Sequence, residues 1–467
     1  MGFSLQFLGM FITDLNPSGG IGANSMLVEM GQLRILIDAG MHPKLMGYEA
    51  LPDFSLLQGE PLDAIVLTHC HLDHLGGLPV IARAHPATPI ITSLPNITLA
   101  PRMLRNSVNV MKRQRSEHNI REYPLFVHRD ISAMNRQFEG QRFGKLETYR
   151  SRGETFQIAL HPAGHVAGAA SVELVSSAGR MIISGDMLFD RQQTLAGASP
   201  PKDATDVLVL ETTRGITERS EGCTRESETQ RLIAMLNTIL ERGGSCLIPV
   251  FALGRMQEMM TLLANSRRTG ALRSSPFFVT GLGVDLASHF DKIARQTGLI
   301  DFDVSVIEEL GAVPPDPNLV PGRRPSKNGI YLVSSGMLVE HTPSYQVAAS
   351  LLGYPENGIC FVGYCDPQTP GGMLLATEQG ERFLFDVYDY STPVMSSVDQ
   401  FDLSGHADRD ELVSYAQSVS PQTIVLTHGD SEARSWFKSA LAEVLPQSRI
   451  IDPEPLQRYE LIGNGNV

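Results

Sequence analysis

The sequence predicts a layered α/β protein with more than one domain. Short apolar, β-branched runs alternate with segments of helical period through much of the chain. Several of the runs are apolar without alternation, as in strands covered on both faces. A chain of 467 residues also exceeds what one core holds and implies two domains, or three.

In chain order, "RILIDAG" at 34–40, "DAIVLTH" at 63–69 and "RMIISGD" at 180–186 read as strands ending in Gly, His or Asp. "DVLVLE" at 206–211, "CLIPVF" at 246–251, "GIYLVSSG" at 329–336, "GICFVGYC" at 358–365 and "TIVLTHG" at 423–429 follow the same pattern. Between two of them, Leu232, Met235, Leu236, Ile239 and Leu240 keep helical spacing, and Gly243-Gly244 stops the helix. Asp408 and Glu411 before an apolar run form a capping-box pattern. The Pro-rich segment "AVPPDPNLVPGRRP" at 312–325 is expected to run over the surface. "IVLTH" occurs twice, at 65–69 and 424–428. Five letters are too few for a tandem repeat, so the two copies read as two buried strands that each deliver a histidine to one metal site.

With 42% hydrophobic and 19% charged residues, the chain reads as an ordinary globular protein. The start, "MGFSLQFLGMF", lacks a basic n-region and a long apolar core, and Gln6 stands where a myristoylation motif wants Ser or Thr. No leader, lipid anchor or membrane span is therefore expected. Five sparse cysteines without zinc-finger spacing suit a reducing compartment, and a cytoplasmic enzyme is the expectation. The net charge of -13 speaks against a surface coated in nucleic-acid patches. Two basic clusters stand out, "RMLRNSVNVMKRQR" at 102–115 and "GRRPSK" at 322–327; a solvated helix face and a surface loop are the simpler reading of them, and a nucleic-acid contact is the alternative.

The chemistry concentrates in His69-x-His71-x-Asp73-His74. Four ligand groups lie within six residues, directly after one predicted strand and before a helix opening "LGGLPVIA". Residues just beyond a strand's carboxyl end can converge in a crevice. Neutral imidazole and carboxylate are good zinc ligands, at roughly 2.0–2.2 Å. Two metals need six ligand slots or more. Candidates for the rest are His165, Asp186 and His428, each beside Gly at a strand end. His42, His85, His118, His128, His161, His289 and His341 lack this placement and read as structural or surface residues.

These residues resemble the metallo-β-lactamase fold and, within it, the β-CASP nucleases, over essentially the whole length. "DAGMHPKLMGYEALPDF" at 38–54 and "LTHCHLDHLGGLP" at 67–79 look most like the pre-mRNA 3′-end-processing endonuclease and its prokaryotic relatives. The resemblance implies an αββα sandwich with an inserted α/β β-CASP cap. Residues 1–209 and 396–467 would form the first domain and 210–395 the cap. It implies that Asp38 supports the metal loop, that one zinc takes His69, His71 and His165, and that the other takes Asp73, His74 and His428. Asp186 would bridge them. Two zinc ions are expected, with manganese as the alternative. Glu211 in "LETTRG" and His406 in "DLSGHAD" match the cap's acidic motif and the motif after it. Members acting on DNA typically carry Val in place of His428, and diiron oxidoreductases of this fold carry Glu in place of His71. The pattern here therefore points to zinc-dependent hydrolysis of RNA. Arg214 stands where many relatives have tyrosine.

The expected function is hydrolysis of phosphodiester bonds in single-stranded RNA, endonucleolytic or also 5′–3′ exonucleolytic, in RNA processing or decay. Two cations about 3.5–4 Å apart can activate water and neutralise the non-bridging oxygens. Asp186 would orient the nucleophile, and His406, held by Glu211, would protonate the leaving 3′ oxygen. "VSSGM" at 333–337, with Ser335 and Gly336, and Arg255 in "FALGR" are candidate substrate contacts. A homodimer rests on the habit of relatives alone. Two rival readings are a zinc hydrolase of a small thioester or lactam, and an inactive scaffold of a processing complex.

Overall fold

The protein is described by a computed structural model covering residues 9–462. Gly2 and Gln6, read above for a lipid signal, lie outside the described residues. Two compact units are present. The first takes the chain up to Arg191, then Gly197–Arg219, then everything from His406 onward; the second takes Gln192–Ala196 and Ser220–Gly405. The second unit is thus inserted in the chain of the first.

The first unit contains two seven-stranded sheets. In one, the order is Arg458–Ile462, Met10–Asp14, Met26–Met30, Leu33–Ile37, Ala64–Leu67, Ile90–Ser93, Phe138–Gln141. In the other it is Arg449–Ile451, Thr423–Thr427, Val207–Glu211, Gly179–Ile183, Ala170–Ser176, Glu154–Pro162, Glu147–Ser151. Ile12, Val28, Ile35, Val66 and Ile91 from the first sheet share one core with Ile158, Val172, Met181, Val209 and Val425 from the second. Apolar side chains on the other face of the second sheet, Leu208, Leu210, Ile424 and Leu426, are covered by Leu412, Ala416, Phe437 and Leu441 of the helices Arg409–Val419 and Ser431–Val444. The helix Leu94–His118 packs on Ile90–Ser93 and Phe138–Gln141 in the first sheet. The result is the expected αββα layering, and it explains why "AIVL" and the "VLVL" before Glu211 are apolar at every position: both faces are buried.

The two "IVLTH" strands fall in opposite sheets of the sandwich, Ala64–Leu67 in one and Thr423–Thr427 in the other. Asp408 caps the Arg409–Val419 helix as the pattern predicts: its carboxylate accepts from Asp410 N, and Glu411 Oε2 accepts from Asp408 N at 2.9 Å. The helix Leu94–His118 buries apolar side chains as far as Met111, whereas Lys112, Arg113 and Arg115 are exposed, and Arg113 pairs with Glu117 at 3.7 Å. The basic cluster is therefore a solvated helix end. No described helix is long and apolar enough to cross a membrane.

The second unit carries a six-stranded sheet in the order Ala312–Val313, Phe277–Thr280, Ile330–Val333, Cys246–Pro249, Gly358–Phe361, Ser397–Gln400, and a hairpin of Arg382–Phe385 with Tyr390–Pro393. All pairings within that sheet are parallel. The Pro-rich segment is not wholly a surface excursion. Ala312–Val313 adds an edge strand beside Phe277–Phe278, and Leu319 is buried in the unit's core. An isolated apolar residue among prolines carries no periodicity from which this could be read.

One glycine ties the sandwich to the metal loop. A Cβ at Gly40 would lie 1.7 Å from the Asp73 carbonyl oxygen and 2.7 Å from Asn24 N, both backbone atoms. Gly40→Ala should cost at least about 3 kcal/mol and displace Asp73. Thermal melts followed by circular dichroism check this; an unchanged midpoint would contradict it.

Candidate metal centre

Strand register brings the acidic and imidazole groups together. Leu33–Ile37 and Ala64–Leu67 run parallel with Ile37 opposite Val66, so Asp38 and Thr68–His69 leave the first sheet side by side. In the second sheet Ile183 lies opposite Val209 and Glu211 opposite Thr427, so Asp186, Glu211 and His428 emerge at one edge. His71 precedes, and Asp73 and His74 lie in, the short helix Leu72–Leu75. The sequence places this cluster between a strand and a helix, and the segment forms one helical turn of its own. Asp38 and His428 both have positive φ, 59° and 49°. Such strain is uncommon away from glycine and persists where the surroundings over-determine it. For Asp38 those surroundings are Thr68 N and Thr68 Oγ1, each donating at 2.7 Å.

Three imidazole nitrogens converge in the first half of the site. His71 Nδ1 lies 3.2 Å from His69 Nε2 and 3.0 Å from His165 Nε2. Asp186 Oδ2 is 3.5 Å from His69 Nε2 and 3.7 Å from His165 Nε2. Bonds of 2.0–2.1 Å in a tetrahedron separate ligand atoms by roughly 3.3–3.4 Å, which these spacings match. Burial pushes the His69 pKa well below 6.5, helped by neighbouring His74 and opposed by Asp186. The ring is thus neutral, the form in which it ligates.

The second half gathers Asp73, His74 and His428. Asp73 Oδ2 is 3.3 Å from His428 Nε2 and 3.9 Å from His74 Nε2, and Asp186 Oδ1 is 3.5 Å from His74 Nε2. His74 Nδ1 donates to Asp38 Oδ2 at 2.7 Å, which orients the ring and directs Nε2 at the cluster. Burial disfavours charge on His74, but Asp186, Asp38 and Asp73 outweigh it and hold its pKa well above 6.5. Burial likewise opposes a raised His428, and Asp186 and Asp73 again prevail. Burial would raise Asp186, yet His428, His74 and His69 keep it well below the usual carboxylate range.

The donor set fits a divalent pair. Asp186 is buried, directs one oxygen at each half, and its Oδ1 takes no hydrogen-bond donor. A buried carboxylate oxygen without a donor is costly, and a cation supplies the missing partner. A small cavity lined by Asn24, Asp38, His74, Asp186 and His428 lies there. His69, His71, His165 and Asp186 could hold one ion; Asp73, His74 and His428, with the other Asp186 oxygen, could hold a second.

Glu211 and His406 meet at the same edge. His406 Nδ1 donates to Glu211 Oε2 at 3.0 Å, and Met187 N donates to Glu211 Oε1 at 2.6 Å. The His406 ring lies 4.5 Å from the His165 ring, centroid to centroid. The three candidate substrate residues belong to the second unit. Ser335 Oγ accepts from Val339 N at 2.9 Å, and Gly336 lets the Phe251 ring approach so closely that a Cβ would lie 3.0 Å from it. Arg255 is buried and donates to the Leu403 carbonyl at 2.8 Å and to Gln192 Oε1. Burial and the nearby Arg225 charge pull its pKa down to about 9.

Sequence reasoning missed three supporting side chains. Thr68 Oγ1 donates to Asp38, Asn24 Nδ2 lies 3.1 Å from His74 Nε2, and Thr213 Oγ1 touches both Glu211 and His428. Thr68 and Thr213 adjoin or flank recognised motif residues, and that adjacency was the one available signal.

Comparison with known proteins agrees with this geometry. Residues 18–214 match the metallo-beta-lactamase superfamily, 229–374 the Beta-Casp domain, and 391–446 the Zn-dependent metallo-hydrolase RNA specificity domain. The chain is 28% identical over 450 residues to the transcription termination factor FttA of Pyrococcus abyssi, covering 90% of this chain and 67% of the relative. It is 25% identical to Integrator complex subunit 11 of Danio rerio, over 92% of this chain and 71% of the relative. It is also 25% identical to cleavage and polyadenylation specificity factor 73 of Drosophila melanogaster, over 92% of this chain but 61% of that protein. A solved structure of an Enterococcus faecalis protein of unknown function shares the fold, at a TM-score of 0.52 and 14% identity, covering 97% of this chain and all of the other.

Asp38→Asn should weaken divalent-metal affinity roughly 10–100-fold, since the His74 ring loses its carboxylate. Competition with a chromophoric chelator measures this; unchanged affinity would show that Asp38 does not orient His74.

Proposed function

Because the chain belongs to the β-CASP branch of the metallo-β-lactamase superfamily, a family of metallo-hydrolases, we propose that it is a zinc-dependent ribonuclease that hydrolyses phosphodiester bonds of single-stranded RNA. The observation that carries this reading is the hydrogen-bonded His406–Glu211 pair beside a seven-residue cluster suited to two divalent ions. Opening an activated thioester or lactam needs no such pair, whereas expelling a 3′ oxygen does. An inactive scaffold is disfavoured by an intact donor set. The match of 391–446 to an RNA specificity domain and the likeness to a cleavage and polyadenylation specificity factor support RNA over DNA.

In this proposal His69, His71 and His165 would hold one zinc, Asp73, His74 and His428 would hold the other, and Asp186 would be available to both. Bound zinc supplies Lewis acidity, lowering the pKa of water from 15.7 to about 7 and offsetting charge on the phosphoryl oxygens. Asp186, buried among the imidazoles, orients the attacking water. That water, having released one proton to solvent, bonds through its oxygen to phosphorus as the bond from phosphorus to the 3′ oxygen breaks. His406 keeps Nδ1 on Glu211, so Nε2 is the nitrogen assigned to pass a proton to the leaving oxygen. The carboxylate behind the ring steadies the imidazolium that starts the step. In the second unit, the Ser335–Gly336 turn is proposed to meet phosphate through its backbone. Arg255, bonded to Leu403 and Gln192, would shape that surface from behind. The same proposal takes the second unit, Ser220–Gly405 where the sequence reading put 210–395, as the cap, the first unit as the metal-binding domain, and a cytoplasmic location.

Purified protein should cut a labelled single-stranded RNA, and a chelator should abolish cutting. Metal-loaded protein that leaves RNA intact but hydrolyses thioesters would overturn the proposal. His406→Ala should keep metal near two ions per chain while lowering turnover by roughly two to four decades. Loss of metal in that variant would move His406 into the ligand set.

A further inference from the structure

Glu211 has a second dependant besides His406. Thr213 Oγ1 lies 2.5 Å from Glu211 Oε2, 2.8 Å from His428 Nδ1 and 3.1 Å from the His428 carbonyl oxygen. A threonine hydroxyl has one hydrogen to give and can accept at its oxygen. The carboxylate and the carbonyl only accept, and a charge-assisted bond at 2.5 Å takes the hydrogen. The 2.8 Å contact is then a hydrogen bond only if His428 Nδ1 carries the proton and donates to Thr213. Asp186 Oδ1 stands 3.6 Å from that nitrogen, too far to compete. In neutral His428, the form that ligates a cation, Nε2 then keeps its lone pair, and it is the atom 3.3 Å from Asp73 Oδ2 within the metal cluster.

We infer that Thr213 is a positioning residue that relays Glu211 to His428, so that one carboxylate sets the general acid and also the tautomer of a metal ligand. The inference rests on the reading of His428 as a zinc ligand and extends it. Register makes the relay available: Glu211 lies opposite Thr427 on adjacent parallel strands, and Thr213 and His428 follow at the same edge. All four residues, Glu211, Thr213, His406 and His428, lie in the first unit. The consequence is that the second metal position depends on Glu211 through Thr213.

Two substitutions separate this from a role for Glu211 toward His406 alone. Thr213→Val keeps the shape and removes the hydroxyl. It should weaken zinc binding at one of two sites roughly 10–100-fold, so that dialysis leaves near one ion per chain. Thr213→Ser should restore near two. In Glu211→Gln the amide can donate to Thr213 Oγ1, turning the hydroxyl hydrogen toward His428 Nδ1 and favouring the Nε2–H tautomer. Metal content should again fall toward one, whereas a carboxylate serving His406 alone predicts two. Nitrogen-15 spectra of histidine-labelled, zinc-loaded protein should give His428 as Nδ1–H with Nε2 ligated. A Thr213→Val chain that retains two ions with unchanged affinity, or a His428 ligated through Nδ1, would overturn the relay. If the unsubstituted chain binds no zinc, the metal reading falls with it, an outcome visible before any variant is made.

Discussion

The first unit is organised around one buried carboxylate with imidazoles on both sides. Asp186 lies in the interior, where an isolated charge is strongly disfavoured, and one of its oxygens has no donor. His69 and His165 approach Oδ2; His74 and His428 approach Oδ1. Three further carboxylates, Asp38, Asp73 and Glu211, are each bonded to an imidazole. Such a concentration of negative charge is stable only around positive charge, and two divalent cations match both its magnitude and its geometry. Strand order, the paired positive-φ residues and the close approach at Gly40 all serve to hold these groups together where the strands of both sheets end.

The repeated "IVLTH" makes physical sense in this light. Each copy is a strand buried on both faces, so its apolar letters are dictated by burial, and its histidine by what lies past the carboxyl end. The copies sit in opposite sheets of a sandwich, and their histidines reach the two halves of one site. His69 joins the three-imidazole half; His428 joins Asp73 and His74. Insertion of the second unit separates the copies in sequence without separating them in space.

Much of this was legible from residues. Unbroken apolar runs gave the strands, because burial on both faces removes alternation. The cluster at 69–74 stood out because four ligand types in six residues have no packing explanation. His165, Asp186 and His428 could be selected by their place after strands and beside glycine. Thr68, Asn24 and Thr213 could not. A threonine hydroxyl acquires its role from which donor and acceptor lie within 3 Å, and nothing in composition or spacing carries that information. The burial of Leu319 amid prolines and the helical turn at Asp73–His74 escaped for a related reason: both are decided by tertiary contacts.

Diffraction from crystals of the zinc-loaded protein, recorded at the zinc absorption edge, tests the central claim most directly. Two anomalous peaks about 3.5–4 Å apart are expected, one among His69, His71, His165 and Asp186, the other among Asp73, His74, His428 and the second Asp186 oxygen. A lone peak, or a pair that leaves Asp186 bound to neither ion, would contradict a bridging carboxylate as the organising element of this unit.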